Sequence, residues 1–276
     1  MPPRPRVIPR EASMNGLRSM ISSFLLYNDI AISRAQDARP LVDFFASLRP
    51  VTTNHELIRI GGDSDGGYLI PDDLENVEFC FSPGVAFTAD FENDLTTRGI
   101  KCFLADYSVD APPIQNQLFD FEKKFLGQDD NDVFMTLENW VRRKAPDKSD
   151  FILQMDIEGA EYEVICDTSH ETFKKFRILV IEFHELHKLY QKDFFRLANV
   201  TFRKLLKDFD IVHIHPNNCA PPKKYRSFEF PPVVEFTFHR RDRITRKSQT
   251  LSFPHRLDRR NVAKNPDYAL PTCWYS

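Results

Sequence analysis

The stretch that decides the fold of this chain is Phe151-Ile-Leu-Gln-Met-Asp-Ile-Glu-Gly-Ala-Glu161, in which an apolar run is followed directly by acidic residues. Its first five residues are almost continuously apolar, which is typical of a strand that is buried on both faces of a sheet. Acidic residues begin at Asp156, where such a strand would end. The stretch therefore predicts a central strand that carries carboxylates at its carboxyl end.

Similar apolar runs recur on both sides of this strand and alternate with segments of helical periodicity. The predicted strands cover residues 77–82, 100–105, 151–155, 178–183, 211–214 and 233–238, and the predicted helices cover 87–98, 137–143 and 194–208. Alternation of this kind is typical of a mainly parallel sheet with helices on both faces. The sequence predicts an α/β, doubly wound domain whose last strand, 233–238, runs antiparallel.

The chain has 276 residues, which is just under two domains at a usual size of about 150 residues. Residues 1–50 read as a basic, proline-rich arm followed by helical segments that end at Pro50. We expect the main domain to span residues 51–245 and a C-terminal tail, 246–276, to pack on it. Aromatic residues make up 13% of the chain, so a disordered protein is disfavoured.

The termini and cysteines predict a cytoplasmic protein. The basic start is not followed by an apolar run long enough for a signal peptide or a membrane span. Five cysteines are widely spaced and form no C-x-x-C pair, so reduced thiols are expected rather than disulfides or a zinc site.

Nucleic acid is not expected as a partner, because the net charge of −3 supplies no general attraction for a polyanion. Residues 239–264 do hold nine Lys and Arg against two Asp. Without interleaved aromatic residues, this excess of +7 is better interpreted as a solvated surface. Methylation of nucleic acid with this tail stays open as an alternative, and it predicts strongly salt-dependent binding.

Ligands of open parallel sheets bind beyond the carboxyl ends of the strands, so these positions are the candidate site. Gly84 follows the strand at 77–82, and Asp106 follows the next strand 22 residues later, at the position that grips the ribose hydroxyls of a nucleotide. The turn at Gly84 lacks the other glycines of a dinucleotide loop. This pattern favours a nucleoside cofactor without phosphates, such as S-adenosylmethionine, with Glu92 or Asp90 balancing its positive charge.

Carboxylates and imidazoles crowd the ends of the remaining strands. Alternate residues of a strand share a face, so Glu182 projects with His184, and His213 with His215. We expect these side chains to meet Asp156 and Glu158 in one crevice. Such a set suits either a divalent ion, magnesium or manganese, or a histidine general base, and spacing alone does not choose between them.

Two motifs resemble the FkbM-type family of S-adenosylmethionine-dependent O-methyltransferases: Leu153-Gln-Met-Asp-Ile-Glu-Gly-Ala-Glu161 and Leu179-Val-Ile-Glu-Phe-His184. Residues 59–68, 212–218 and 232–238 are similar to other parts of that family, so the resemblance covers residues 55–240. It implies a class I methyltransferase fold, with a seven-stranded sheet whose last strand is antiparallel. It also implies methyl transfer to a hydroxyl group of a small-molecule or glycan acceptor. Some sugar methyltransferases of this fold bind a divalent metal at the positions of Asp156 and Glu182.

The candidate residues form two sets. Those for the cofactor are Gly84, Glu92, Asp106 and Tyr107, with Asp65 and Tyr68 in a glycine-flanked loop that would close over it. Those for deprotonation or metal binding are Asp156, Glu158, Glu182, His184 and His215. The competing hypotheses are a nicotinamide-dependent oxidoreductase, which the missing phosphate loop opposes, and a non-catalytic binding module of the same fold.

Overall fold

The computed structural model describes residues 19–21, 25, 27 and 34–276. Its strands are β1 (Val51–Thr53), β2 (Leu57–Ile60), β3 (Tyr68–Pro71), β4 (Phe79–Pro83), β5 (Lys101–Ala105), β6 (Phe119–Glu122), β7 (Phe125–Leu126), β8 (Phe134–Met135), β9 (Phe151–Met155), β10 (Phe176–Phe183), β11 (Phe209–Pro216), β12 (Lys223–Tyr225), β13 (Phe228–Phe230), β14 (Val234–Arg240) and β15 (Lys247–Gln249). The α-helices are α1 (Ala38–Ser47), α2 (Asp90–Thr97), α3 (Leu137–Lys144), α4 (Glu161–Asp167), α5 (His170–Phe173) and α6 (Lys192–Leu205). Short 3-10 helices lie at Leu186–Lys188, Arg241–Arg243 and Thr272–Trp274.

Seven strands form the central sheet in the order β11-β14-β10-β9-β4-β5-β6. All of them are parallel except β14, which pairs antiparallel with β10 on one side and β11 on the other. The predicted doubly wound, mainly parallel α/β fold with an antiparallel last strand is therefore confirmed. Because the parallel strands run in one direction, their carboxyl ends meet along a single edge of the sheet.

Hydrophobic residues cover both faces of this sheet. On one face, Phe202 of α6 packs against Phe183 of β10 at 4.5 Å between ring centroids, and against Phe44 of α1 at 5.5 Å. On the other face, Phe91 of α2 packs against Tyr68 of β3 at 5.6 Å. Complete burial of β9 and β10 explains why their sequences are mostly apolar rather than alternating.

The C-terminal tail contributes to the same core. Trp274 is fully buried, and its ring lies 4.8 Å from that of Phe45 in α1. The strand β15 pairs antiparallel with β1, which fastens the tail to the start of the main domain. The predicted arm and first helix fall largely within residues 1–33, most of which lie outside the described residues.

Two features differ from the local predictions. The helix predicted from residue 87 begins at Asp90, because Phe87 is 93% exposed in the preceding loop instead of packing with Phe91 and Leu95. The edge strand β6 was not predicted, since its Phe-Asp-Phe-Glu sequence is half-buried and lacks the continuous apolar pattern of the inner strands. Within the described ranges, no helix combines the length and apolar character needed to cross a bilayer.

Candidate active site

A cleft of about 570 Å³ opens at the carboxyl ends of β4, β5 and β9, and we call it the β4–β5 cleft. The turn 84–88 after β4 forms its floor, and Asp106 and Ser108 after β5 form one side. Three apolar side chains form the outer wall, and the chain after β9 closes the opposite side. These residues are Phe125, Leu126 and Phe134 on the wall, and Asp156, Ile157 and Glu158 after β9.

The turn at Gly84 requires glycine for two reasons. Its φ is +93°, which is the left-handed region that other residues rarely adopt. A Cβ atom at this position would also lie 1.5 Å from the carbonyl oxygen of Asp156. This close approach brings the end of β4 against the end of β9, which places the predicted cofactor turn beside the predicted catalytic acid.

Asp106 lies at the rim of the cleft, as the sequence predicts, with its side chain buried. Its Oδ1 accepts hydrogen bonds from the backbone N of Ser108 at 2.7 Å and from the Ser108 Oγ at 2.6 Å. Both bonds use one oxygen, so Oδ2 takes part in neither. Tyr107 does not line the cleft; its ring packs behind Phe125 at 5.5 Å, with the Lys123 ammonium over it.

Glu92 and Tyr68 belong to a buried polar row beneath the cleft. Ser82 Oγ donates to Glu92 and lies 2.6 Å from the Gln154 Oε1, and the Gln154 Nε2 donates to the Tyr68 hydroxyl at 3.3 Å. Burial raises the pKa of Glu92 to about 7 and the pKa of Tyr68 well above its usual value. A small cavity beside the cleft is lined by Glu92, Tyr68 and Asp65, and Asp65 lines the main cleft as well.

His184, directly after β10, is held by a buried carboxylate. Its Nδ1 lies 3.0 Å from the Oε1 of Glu161, the first residue of α4. The same oxygen accepts backbone hydrogen bonds from Gly159 at 3.0 Å and Ile157 at 3.3 Å. Glu161 is completely buried, so these contacts fix both the carboxylate and the imidazole ring. The side chain of His184 keeps 14% of its surface exposed.

The free edge of the His184 ring faces two more carboxylates. Its Nε2 lies 3.8 Å from the Asp156 Oδ1 and 3.5 Å from the Glu158 Oε2. Burial alone would lower the pKa of His184, but the hydrogen bond to Glu161 and the nearby carboxylates outweigh it, so the pKa is raised. The pKa of Asp156 is also raised, chiefly because burial disfavours its charged form.

Glu182 lies two residues before His184 in the chain but joins a different cluster. Its Oε1 accepts a hydrogen bond from the Asn217 Nδ2 at 3.0 Å, and its Oε2 is buried without a partner among the described residues. Glu182 pairs in register with Glu235 of β14, and Asp65 comes within ligand distance of both. Burial raises the pKa of Glu182 well above its usual range, and that of Glu235 is raised for the same reason.

His215 is set apart from His184. It pairs in register with Glu235 on the far side of β14, and its side chain lines a separate cavity against the C-terminal tail. The structure thus brings His184 together with Asp156 and Glu158, which line the β4–β5 cleft, and places His215 outside that group. The predicted catalytic role of His215 stays a prediction.

Several residues at the site were not selected from the sequence. Glu161 is the last residue of the stretch 151–161, but its contact with His184 joins two residues that are 23 positions apart in the chain. Phe125 and Phe134 lie in the short strands β7 and β8, where no sequence pattern indicated a cleft wall. Glu235 is one acidic residue in a mainly apolar strand, and the sequence does not show that it pairs with Glu182.

The strand order and the site at the carboxyl edge define a Rossmann-like, class I methyltransferase fold. Residues 128–211 match the family model described as the methyltransferase FkbM domain, which confirms the resemblance found in the sequence. This stretch contains β9, α4 and β10, and therefore Asp156, Glu161, Glu182 and His184. The turn at Gly84 and the Asp106 rim lie outside it.

Among curated proteins, none matches this chain. One similar solved structure is that of a Pyrococcus horikoshii protein assigned as an RNA methyltransferase. The identity is 12%, the match covers 60% of this chain and 76% of that one, and the TM-score is 0.31. So slight a likeness says nothing about the substrate of this chain.

Proposed function

We propose that this protein is an S-adenosylmethionine-dependent O-methyltransferase that acts on a hydroxyl group of a sugar or glycan. The observation that carries the proposal is the position of His184. Glu161 holds one side of its ring, and the other side faces Asp156 and Glu158, which line the β4–β5 cleft. The family match over residues 128–211 supports methyl transfer as the reaction class.

The cleft suits an adenosine-containing ligand without a pyrophosphate. Phe125 and Phe134 offer aromatic surface for a purine ring, and Asp106 lies where a ribose would present its two hydroxyls. The single glycine turn allows one close backbone approach, whereas a pyrophosphate needs several. Asp65, which also lines the cleft, would balance the positive charge of the methionine part. Direct cofactor contacts by Glu92, Tyr68 and Tyr107 remain predictions.

The chemistry requires removal of a proton from a weakly acidic hydroxyl as the methyl group is transferred. With Nδ1 donating to Glu161, the Nε2 of His184 carries the lone pair and accepts that proton as a general base. The buried Glu161 stabilises the resulting imidazolium. Asp156 and Glu158 would accept hydrogen bonds from neighbouring hydroxyls, which positions an acceptor that carries several of them.

The donors also fit the divalent ion predicted from the sequence, since Asp156 Oδ1 and Glu182 Oε2 are both buried without a hydrogen-bond partner among the described residues. Asp156 and Glu182 would hold such an ion, and when bound it would acidify the acceptor hydroxyl. Within the described chain these two carboxylates belong to different ligand clusters, Asp156 with His184 and Glu182 with Asp65. The base is therefore assigned to His184, and the ion is tested separately.

A nucleic-acid acceptor is disfavoured by the charge at the mouth of the cleft. Asp65, Asp156 and Glu158 lie there, and the Glu158 side chain is 87% exposed. A phosphate backbone would be repelled at the point where its methylated atom has to enter. A neutral, hydroxyl-rich acceptor meets no such repulsion.

The experiment is incubation of the purified chain with S-adenosylmethionine and a panel of mono- and oligosaccharides, with methylated products identified by mass spectrometry. We expect a mass increase of one methylene on a hydroxyl, and its loss in an Asp156→Ala variant. Activity that survives Asp156→Ala removes the role of Asp156 in positioning the acceptor. Chelator-treated protein should keep its activity. If activity is lost and magnesium or manganese restores it, deprotonation is assigned to a bound ion instead of to His184.

A further inference from the structure

A second group of ligand-type side chains lies at the outer edge of the sheet, away from the β4–β5 cleft. His213 and His215 project from the same face of β11, because alternate residues of a strand share a face. Asp258, from the C-terminal tail, meets them there. One ligand atom of each residue lies within 4.8 Å of the others. We call these three residues the tail cluster.

One separation within the tail cluster is a hydrogen bond, and the two separations lie on either side of the distance expected between two ligands of one ion. His213 Nε2 lies 2.8 Å from Asp258 Oδ1, and His215 Nδ1 lies 3.7 Å from Asp258 Oδ2. Two tetrahedral ligands at about 2.0 Å from zinc are about 3.3 Å apart, so these separations bracket the value for a shared ion. The second distance is too long for a hydrogen bond.

His215 supplies the independent evidence. Its residue is only 7% exposed, and neither ring nitrogen has a hydrogen-bond partner among the described residues. A buried polar group without a partner is costly, so each one in a native structure requires an explanation, such as an ordered water or an ion. The imidazole borders a cavity of about 300 Å³, where Asp258 also lies. This cavity shares no lining residue with the β4–β5 cleft.

The surroundings favour a cation. Asp258 is held in place from outside the cluster, because the backbone N of His255 donates to its Oδ2 at 2.7 Å. Glu235, which pairs in register with His215, and Asp267, which lines the same cavity, add negative charge near the ring. By contrast, Asp73 in the group with His55 and His239 is already bonded to the guanidinium of Arg243. The tail cluster has no such competitor among its described contacts.

We propose that His213, His215 and Asp258 bind one divalent transition-metal ion of the zinc type, with a remaining coordination position open to the cavity. Two imidazoles and one carboxylate are a ligand set suited to zinc, while magnesium prefers oxygen ligands alone. Each coordinating nitrogen must be free of its proton, so the ion displaces the proton between His213 Nε2 and Asp258 Oδ1 and the proton of the coordinating His215 nitrogen, and binding releases protons. The bound ion joins β11 to the tail, which also supplies the buried Trp274.

The test is calorimetric titration of the metal-free full chain with zinc chloride, in two buffers of different ionisation enthalpy so that proton release is measured. We expect one tight event per chain with net release of protons, and a rise in the thermal unfolding midpoint. His215→Gln and Asp258→Asn should each weaken the event at least a hundredfold. His184→Gln and His55→Ala, which alter the other two histidine-containing clusters, should leave it unchanged.

Two results overturn the proposal. One is the absence of a tight event in the wild-type chain; the other is an event that His184→Gln abolishes and His215→Gln does not, which would place the ion at the methyl-transfer site. Folding of the variants is checked by their unfolding midpoints without metal. If both tail-cluster variants fail to fold, X-ray absorption of the zinc-loaded His55→Ala chain decides: two imidazole ligands support the tail cluster, and one or none overturns it.

Discussion

The imidazole Nδ1 of His184 lies 3.0 Å from the Oε1 of Glu161, a carboxylate with no exposed surface at the first turn of α4. The same carboxylate binds the backbone N–H groups that follow β9, so one side chain connects the ends of β9 and β10. Proximity to a fixed anion both orients the imidazole and stabilises its protonated form. The following predictions on proton transfer depend on this pair.

The rate of methyl transfer should increase with pH through the pKa of His184. Only the neutral ring accepts a proton, and the carboxylates raise the pKa above its ordinary 6.5. The acid limb of a kcat/KM profile should therefore have its midpoint above pH 6.5. His184→Gln should lower kcat about 10²–10⁴-fold and remove this limb. An unchanged limb in that variant would assign the base to another group.

Glu161→Gln should move the acid limb to lower pH. The amide keeps an oxygen that can accept from the His184 ring and the backbone, but it removes the negative charge that favours the imidazolium. The pKa of His184 consequently falls, and kcat falls with the loss of stabilisation of the charged base. The control is Glu163→Gln, which alters an exposed carboxylate on the same helix. A limb that moves equally in both variants would exclude a specific role for Glu161.

Gly84→Ala should destabilise the fold by about 2–4 kcal/mol, because the new Cβ overlaps a backbone carbonyl and the positive φ is strained. Gly99→Ala is the matched control. It has a φ of +78° but meets no atom within 4 Å, so about 1–2 kcal/mol is expected there. Urea unfolding measures both values. Equal losses would show that Gly84 does not bring β4 and β9 into close contact.

Asp106→Ala should weaken the binding of S-adenosylhomocysteine about 10–100-fold, the effect of losing hydrogen bonds between a carboxylate and ribose hydroxyls. The control is Asp110→Ala, since Asp110 is fully exposed four residues further on and pairs with Lys123. Fluorescence or calorimetric titration provides the affinities. Similar affinities for wild type and Asp106→Ala would place the ribose elsewhere.

The sheet could be predicted because its inner strands have no polar face. Runs such as Ile178–Phe183 read as strands from their composition alone, and the carboxyl ends of these strands then indicated Asp156, Glu182 and His184. Parallel order places such residues along one edge. The FkbM match over 128–211 confirms the family resemblance in this part of the chain.

Contacts between distant segments could not be predicted in the same way. Asp258 and Trp274 belong to a tail whose sequence has neither helical nor strand periodicity, yet both are held against the main domain. His215 follows the same strand pattern as His184, but β14 enters between β11 and β10 and separates them. Sequence spacing places a residue on a face of its own strand, whereas pairing across strands determines which other residues it meets.

Calorimetric titration of the chain with S-adenosylhomocysteine, and separately with NAD, tests the account most directly. We predict binding of one S-adenosylhomocysteine per chain, weakened in Asp106→Ala, and no binding of NAD. Binding of NAD without S-adenosylhomocysteine would contradict the account and indicate an oxidoreductase.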